Sequence, residues 1–246
     1  MLQGLYSAAA GMTAQQQRID GVANDLANVS TTGYKSVRVG FRDLLYNPRG
    51  DQAGETVAAG AGTAATLFGR SQAQGALLTT DQPLDVAIQG SGFFQVRTAD
   101  GQLALTRDGT FRLDSLGRLG TADGALLVPP IQVPRDTPID RISIATDGTV
   151  RVNEGQVVGR IQLVTVTAPD GLRPLGDNRF AVTPESGAAR AAGADAQLLQ
   201  GRLEGSNVNM SDAMVDMMNA QRAFQLASRA IHMQDQMLEV ANQVKR

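Results

Sequence analysis

Two stripes of apolar residues lie at the two ends of the 246-residue chain. In each stripe, steps of three and four residues alternate, a spacing that marks the face of an α-helix that packs against another helix. The N-terminal stripe is Leu2, Leu5, Ala9, Met12, Gln16, Ile19, Ala23 and Leu26. The C-terminal stripe is Ala213, Met217, Ala220, Phe224, Ala227, Ile231, Gln234, Leu238 and Ala241. We therefore expect one helix from residue 2 to about 29 and another from about Asn209 onward, covering each other or other copies of the chain.

Between the stripes the pattern changes to short alternating runs separated by turn dipeptides. Clear runs are Phe93–Arg97, Phe111–Leu113 and Thr149–Val152. Asp-Gly occurs at 100, 108, 123, 147 and 170, and this dipeptide predicts hairpins with type I′ turns, which need positive φ at both central residues. This region is therefore predicted to be an antiparallel β domain.

The fold class that follows is α+β, with long terminal helices pairing as a coiled coil around a central, mainly antiparallel β domain. We expect residues 1–35 and 206–246 to form one helical polymerisation domain and residues 84–205 to form the β domain. Residues 36–83 include a stretch rich in Gly, Ala and Thr, which indicates an extended arm or linker. We expect the first helix to stop at residues 30–33, with Gly33 as its C-cap.

Composition removes several classes of function. The chain has no Cys, which excludes disulfides and thiolate chemistry, and its net charge of −2 argues against nucleic acid or an anionic membrane as the main partner. No apolar stretch is long enough to insert in a membrane, and the N-terminus does not resemble a cleaved Sec-type signal. His232 is the only His, and a structural role suits its place on a helix. We therefore expect no catalytic, cofactor-binding or metal-binding residues, no cofactor and no enzymatic activity.

Three motifs resemble those of the bacterial flagellar rod and hook proteins. Residues 24–35 read N-D-L-A-N-V-S-T-T-G-Y-K, close to that family's N-x-L-A-N-x-x-T-x-G-[YF]-K, where a long helix ends. The second motif is residues 84–96 followed by T-R-D-G-T-F at 106–111. The third is E-G-S-N-V-N at 204–209, leading into residues 217–224. The three occur in the family's order.

The resemblance implies a structural subunit of the flagellar rod, a tube that carries motor torque to the hook. Such a subunit leaves the cell through the flagellar export apparatus without a cleaved signal and lies in the basal body, in the rod that crosses the periplasm and cell wall. Its implied partners are copies of itself, proximal rod subunits and the hook or junction protein, with outer ring proteins as further candidates. Length makes the distal rod branch the nearest. The longer proximal rod subunit is the alternative, and a hook-type subunit is less similar.

The expected assembly interface combines the stripes with the motifs. Asn24 and Asn28 share a helix face and are expected to bond to neighbouring subunits or to the returning chain. Met210, Met214, Met217 and Met218 are expected to pack against the N-terminal stripe, and Gln16 either fixes register or faces water. An enzyme or carbohydrate-binding module on the β domain stays as an alternative without a motif to support it. The interface residues are Leu2, Leu5, Ala9, Met12, Ile19, Ala23, Asn24, Leu26, Asn28, Thr32, Gly33, Tyr34, Asn207, Asn209, Met217, Ala220, Phe224, Ala227, Ile231 and Leu238.

Overall fold

The computed structural model of the chain describes residues 2–44, 47–49, 57–59, 62–153, 155–193 and 195–244. The chain folds into two compact units, and each takes residues from separate parts of the sequence. The helical unit comprises Met1–Ala27, Val37–Phe68 and Asn209–Arg246. The β unit comprises Asn28–Ser36 and Gly69–Val208. Residues 28–35, which the sequence pattern places with the helices, lie in the β unit.

Two long helices dominate the helical unit. Helix α1 spans Leu2–Ala27 and helix α2 spans Met210–Val244, and the two pack together, which confirms the α+β class. Asn209 caps α2, since its Oδ1 accepts the Ser211 backbone N–H at 3.0 Å. The unit also contains strands β1 (Val37–Asp43), β2 (Asn47–Arg49) and β3 (Val57–Ala59), and all but the last two residues of β4 (Thr63–Arg70); β1 pairs with β4 and β2 with β3.

The predicted stripe on α2 is correct, but three of the seven described positions of the α1 stripe are wrong. Every described stripe side chain of α2 is at least partly buried, and Ala220 is fully buried. On α1, the covered positions are Leu5, Ala8, Met12, Gln15, Ile19, Val22 and Leu26, whereas Ala9, Gln16 and Ala23 are exposed. The sequence could not decide between the two sets because they offer the neighbouring pairs Ala8 or Ala9, Gln15 or Gln16, and Val22 or Ala23.

Packing against strand β1 explains which residues of α1 are buried. It packs against α1, and a Cβ placed on Gly21 would lie 3.0 Å from the Val39 side chain. Helix α1 is thus covered both by α2 and by β1, so its buried sector is wider than one stripe, with Ala14 only 1% exposed. Gln16 faces water and donates to Asp20, and the amide oxygen of Gln15 is the buried one.

The described residues of the β unit form sixteen short strands, and their recorded pairings are all antiparallel. They are β5 (Leu77–Thr79), β6 (Val86–Gln89), β7 (Phe93–Arg97), β8 (Leu103–Thr106), β9 (Phe111–Leu113), β10 (Leu119–Thr121), β11 (Leu126–Leu127), β12 (Ile142–Ile144), β13 (Thr149–Val152), β14 (Gln156–Arg160), β15 (Leu163–Thr165), β16 (Arg173–Gly176), β17 (Arg179–Ala181), β18 (Arg190–Ala191), β19 (Gln197–Gln200) and β20 (Arg202–Glu204).

The strands form one large sheet and three smaller ones. The nine-stranded sheet has the order β16-β17-β8-β7-β11-β10-β9, and β15 joins it by pairing with β7 and β18. A three-stranded sheet follows the chain as β12-β13-β14. Two strands near the end of the unit pair with early ones, β19 with β6 and β20 with β5. The main core joins these sheets through side chains such as Ile88, Phe94, Leu119, Val150 and Leu198.

Only three of the five Asp-Gly dipeptides make hairpin turns, and none is type I′. In the turns at Gly101, Gly124 and Gly148, only the Gly has positive φ, and its N–H donates to the carbonyl three residues earlier. This is the three-residue loop of a type I turn closed by a left-handed residue. Asp177 and Asn178, both with positive φ, form the two-residue turn between β16 and β17 instead. Asp108-Gly109 and Asp170-Gly171 lie outside hairpins, the second in a 3₁₀ turn.

Candidate functional site: the terminal helices and a buried clamp

The expected interface residues on the helices fall into two groups. Ala220 is buried, and the other covered members line the contact between the helices or the inner side of α1: Leu5, Met12, Ile19, Leu26, Met217, Phe224, Ala227, Ile231 and Leu238. Ala9, Ala23, Asn24 and Asn209 are exposed. The side chain of Leu2 lies outside the described residues. The covered group therefore lies within the packed helical unit of a single chain.

Helix α2 carries a second apolar stripe that the sequence analysis missed. It again alternates steps of four and three residues, and each member directly precedes a residue of the covered stripe, so it lies beside that stripe, about 100° around the helix. Its large members are between 57% and 65% exposed. This outer stripe consists of Leu226, Ala230, Met233, Met237 and Val240.

The methionines near the start of α2 do not pack as expected. Met210, Met214 and Met218 are 47%, 47% and 50% exposed, and only Met217 is partly covered. The expectation that all four pack against the N-terminal stripe is therefore wrong. Since α1 covers one face of α2, side chains one position away from that face stay in solvent.

A second arrangement, inside the β unit, holds two distant parts of the chain together. The outgoing segment, residues 28–36, follows α1, and the returning segment, residues 203–208, precedes α2. Where they meet, Lys35 donates to Glu204 Oε1 at 2.6 Å and Arg107 donates to Glu204 Oε2 at 2.9 Å. All three side chains are buried, with at most 4% of any exposed. We call Lys35, Arg107 and Glu204 the ion triad.

The ion triad is held by further hydrogen bonds. Lys35 Nζ also donates to the carbonyl of Ala73 at 2.8 Å, and Arg107 donates to the carbonyl of Gly90 at 2.8 Å. Glu204 Oε1 accepts the Gly75 N–H at 2.9 Å as well. Most of the polar atoms are thereby satisfied, as burial of charge requires.

Charge is nevertheless unbalanced in the triad. Two cations share one carboxylate, so the net charge is positive when all three groups are ionised. Burial lowers the pKa of the Lys35 ammonium from its ordinary value; Glu204 opposes the shift, and the nearby Arg107 adds to it. Glu204 is therefore the group on which the burial of both cations depends.

Gly33 lets the two segments approach closely. Its N–H donates to the Glu204 backbone carbonyl at 2.7 Å, and its φ is +67°. A Cβ at this position would lie 2.7 Å from the backbone nitrogen of Asp108. The expectation that Gly33 is the helix C-cap is wrong, because α1 ends at Ala27, and this glycine serves a backbone crossing instead.

Asn207 joins the outgoing and returning segments by its side-chain amide. Its Oδ1 accepts the Ser36 N–H at 2.8 Å, and its Nδ2 donates to the carbonyls of Ser71 and Ala73 at 3.1 and 3.0 Å. Its backbone N–H donates to the Tyr34 carbonyl at 3.3 Å. Asn207 therefore lies among three stretches of chain, and we call the triad together with these bonds the clamp.

The remaining motif residues of the outgoing segment also make bonds within the β unit. Thr32 donates to Asp108 at 3.1 Å and accepts from Asn178 at 2.7 Å through its carbonyl. The buried Tyr34 ring has the Arg70 guanidinium 5.0 Å from its centre, a cation–π distance. Asn28 accepts from the Thr31 hydroxyl at 3.2 Å.

Sequence reasoning missed all three residues of the ion triad as functional positions. The signal was present, since each of the three motifs contributes one of them: Lys35 ends the first, Arg107 lies in the second, and Glu204 begins the third. Charged residues usually face solvent, and nothing local distinguishes these from the others.

Nothing in the described residues points to catalysis or metal binding. They contain no group of three or more acidic or His side chains placed to hold a metal ion. None of the helices within the described ranges has the length and apolar character to cross a membrane. An open cleft in the β unit, about 710 Å³ in volume, is lined by backbone and by side chains such as Gln95, Arg160 and Gln197, without an aromatic ring.

Three family models match separate parts of the chain. A "Flagella basal body rod protein" model matches residues 5–35, a "Flagellar hook protein FlgE/F/G D1 domain" model matches 87–152, and a "Flagellar basal body rod FlgEFG protein C-terminal" model matches 199–244. The first and last matches contain the outgoing residues through Lys35 and the whole returning segment.

Full-length relatives agree with these matches. The chain is 39% identical to the flagellar basal-body rod protein FlgG of Borreliella burgdorferi over 264 residues, covering 100% of both chains. It is 36% identical to proteins of the same name from Buchnera aphidicola and Caulobacter vibrioides, covering 99% of this chain and 100% of each relative.

Proposed function

This chain belongs to the flagellar basal-body rod protein family, and we propose that it is a structural subunit of the rod, specifically of the distal rod. Full-length similarity to proteins named FlgG supports the rod, and chain length favours the distal branch over the proximal alternative. In this role the subunit acts by polymerising with copies of itself, and torque passes through the polymer to the hook. No catalytic step is part of the proposal.

The exposed outer stripe of α2 is the main observation that supports polymerisation. Within the described chain, α1 covers one face of α2, and the face beside it keeps the large side chains of Leu226, Met233, Met237 and Val240 in solvent. Each side chain of this size gains about 1.5–3 kcal/mol when it is fully buried. Its heptad-like spacing fits a helix of the same kind, so a helix from a neighbouring copy is the natural partner.

The other partners and the location follow from the family. We propose that the subunit works in the flagellar basal body, in the rod that crosses the periplasm and cell wall, and reaches it through the flagellar export apparatus without a cleaved signal. It contacts proximal rod subunits on one side and the hook or junction protein on the other, with outer ring proteins around the rod.

A paired substitution tests assembly through the outer stripe. We expect Leu226→Glu with Met233→Glu to abolish swimming and to leave basal bodies without a complete rod, because two charges would be buried at the contact. The matched control, Gln225→Glu with Gln236→Glu, adds the same two charges at exposed positions on another face of the same helix. Electron microscopy of basal bodies and swimming in soft agar provide the readout in a deletion strain carrying each variant.

The same strain separates the distal from the proximal position. Loss of a distal subunit leaves a short rod stub without a hook, whereas loss of a proximal subunit removes the stub. Normal rods in the stripe variant would contradict the assembly role of this face. Hooks in the uncomplemented deletion strain would contradict the rod function altogether.

A further inference from the structure

We infer that the β unit closes only when its C-terminal strand arrives, with Glu204 as the closing group. The three parts of the ion triad are far apart in the chain: Lys35 is 169 residues from Glu204, and Arg107 is 97 residues from it. Both cations come before the carboxylate in the sequence. Burial of the early groups thus depends on a late one.

The last two strands of the β unit, just before and at the start of the returning segment, also complete the backbone pairing of early elements. Strand β19 pairs with β6, and β20 pairs with β5, each across more than a hundred residues. The Glu204 carbonyl accepts the Gly33 N–H, and the Leu198 side chain, 2% exposed, belongs to the main core. The ion triad and the backbone pairing of β19 and β20 therefore form in the same step.

The cost of burying unpaired charges and the length of the loops determine the order in which the parts of the β unit fold. Without Glu204, seating the outgoing segment would bury two cations with no anion, which is strongly unfavourable. Hairpins such as β7–β8 and β12–β13 need only short loops, so they can form earlier. In a chain made or delivered with its N-terminus first, residues 28–36 therefore stay hydrated and unseated until residues 203–208 are present. Because of the clamp, the outgoing segment becomes ordered only when the returning segment is in place.

Refolding of the full-length chain tests this order directly. After dilution from denaturant, pulsed hydrogen exchange with mass spectrometry or NMR follows single amides. Gly33, Ser36 and Gly75 report the clamp, and Thr98 and Ala145, whose N–H groups close local hairpins, report early structure. We expect the clamp amides to become protected in a later phase than the hairpin amides. Protection at the same rate, or earlier, would overturn the inference.

Substitutions test whether charge sets the order. Glu204→Gln leaves two buried cations unpaired, and we expect the clamp amides to lose about a hundredfold of their protection in the folded chain while Thr98 and Ala145 keep theirs. Glu185→Gln makes the same chemical change at an exposed site of the β unit and is expected to change neither set. Unchanged clamp protection in Glu204→Gln would overturn the role of that carboxylate.

Lys35→Met decides the matter even if Glu204→Gln fails to fold. It removes one cation and leaves the Glu204–Arg107 pair balanced. We expect this variant to fold and to keep more clamp protection than Glu204→Gln. Equal or greater loss in Lys35→Met would show that packing, and not charge balance, governs closure.

Discussion

At the scale of single residues, the buried lysine is the least expected feature of the molecule. Breaking a buried ion pair by removing one partner typically costs about 3–5 kcal/mol, whereas replacing the whole pair by apolar groups is often neutral. The ion triad is therefore weak evidence for high stability. It is better explained as a device that permits one pairing of the outgoing and returning segments, since Lys35 and Arg107 share Glu204.

The lowered pKa of Lys35 has a consequence for stability that pH titration measures. Burial holds this pKa below its ordinary value in the folded chain. Between the folded and unfolded pKa values, the unfolded state binds more protons, so the free energy of unfolding rises with pH in that window. We expect the stability of the parent chain to rise relative to Lys35→Met as pH increases from 7 toward 10, measured by denaturant unfolding. A difference that stays flat or falls with pH would contradict the shift.

Two aspartates in hairpin loops have lowered pKa values, which affect stability in acid. Hydrogen bonds from the Arg118 backbone and side chain lower the pKa of Asp114, and those from Thr149 lower the pKa of Asp147. A lowered carboxyl pKa contributes stability that is present above the unfolded value near 4 and is lost as pH falls. We expect Asp147→Asn to reduce the loss of stability between pH 5 and pH 3, measured by thermal unfolding. The exposed Asp100→Asn is the matched control and should follow the parent chain.

How much the sequence reveals differs from residue to residue. Local patterns placed strands such as Phe93–Arg97 and Thr149–Val152 to the residue, because alternation and a nearby turn determine a hairpin. The ion triad was beyond such reasoning, because a charged residue that is buried looks the same in sequence as one in solvent. Its partners lie 97 to 169 residues away, and only the folded chain brings them together.

At the scale of elements, the two helices show what a periodic pattern determines. Among the described elements, helix α2 packs mainly against α1, and its covered face was predicted correctly from spacing alone. Helix α1 has α2 and β1 as neighbours, and adjacent residues of similar character left two faces equally plausible. Spacing alone did not reveal the outer stripe of α2, because each of its members directly precedes a residue of the covered stripe and the two patterns run side by side.

The covered face of α2 leaves little room at its centre. Ala220 is fully buried, so we expect Ala220→Leu to destabilise the helical unit by about 1–3 kcal/mol through overpacking and to block assembly. Ala230→Leu makes the same change at an exposed position of α2 and should alter the stability of the isolated chain by less than about 0.5 kcal/mol. Helical circular dichroism during denaturant unfolding measures both. Equal effects of the two substitutions would contradict tight packing at residue 220.

At the scale of the whole molecule, the division of the chain into units changes how its ends should behave. The family motif at residues 24–35 contains the last residues of α1 and most of the outgoing segment, so one motif contributes to both units. The same holds for the returning motif at 204–209. The outgoing and returning segments are thus held in the β unit by the clamp. The two terminal helices are stabilised by burial of their own apolar faces.

Hydrogen exchange of the isolated chain tests this division. The helical unit leaves most of α2 in solvent, whereas the β unit has a continuous buried core. Local stability follows the density of buried contacts, so we expect fast exchange in residues 2–27 and 209–244 and slow exchange in residues 30–36 and 203–208. The boundary should fall near residues 27 and 209, the first inside the motif at 24–35 and the second at the last residue of the motif at 204–209. Assembly should then slow exchange in the helices alone, because neighbouring copies cover the outer stripe. Helices as strongly protected as the β core in the isolated chain would mean that their exposed faces cost little, and polymerisation would need another driving force.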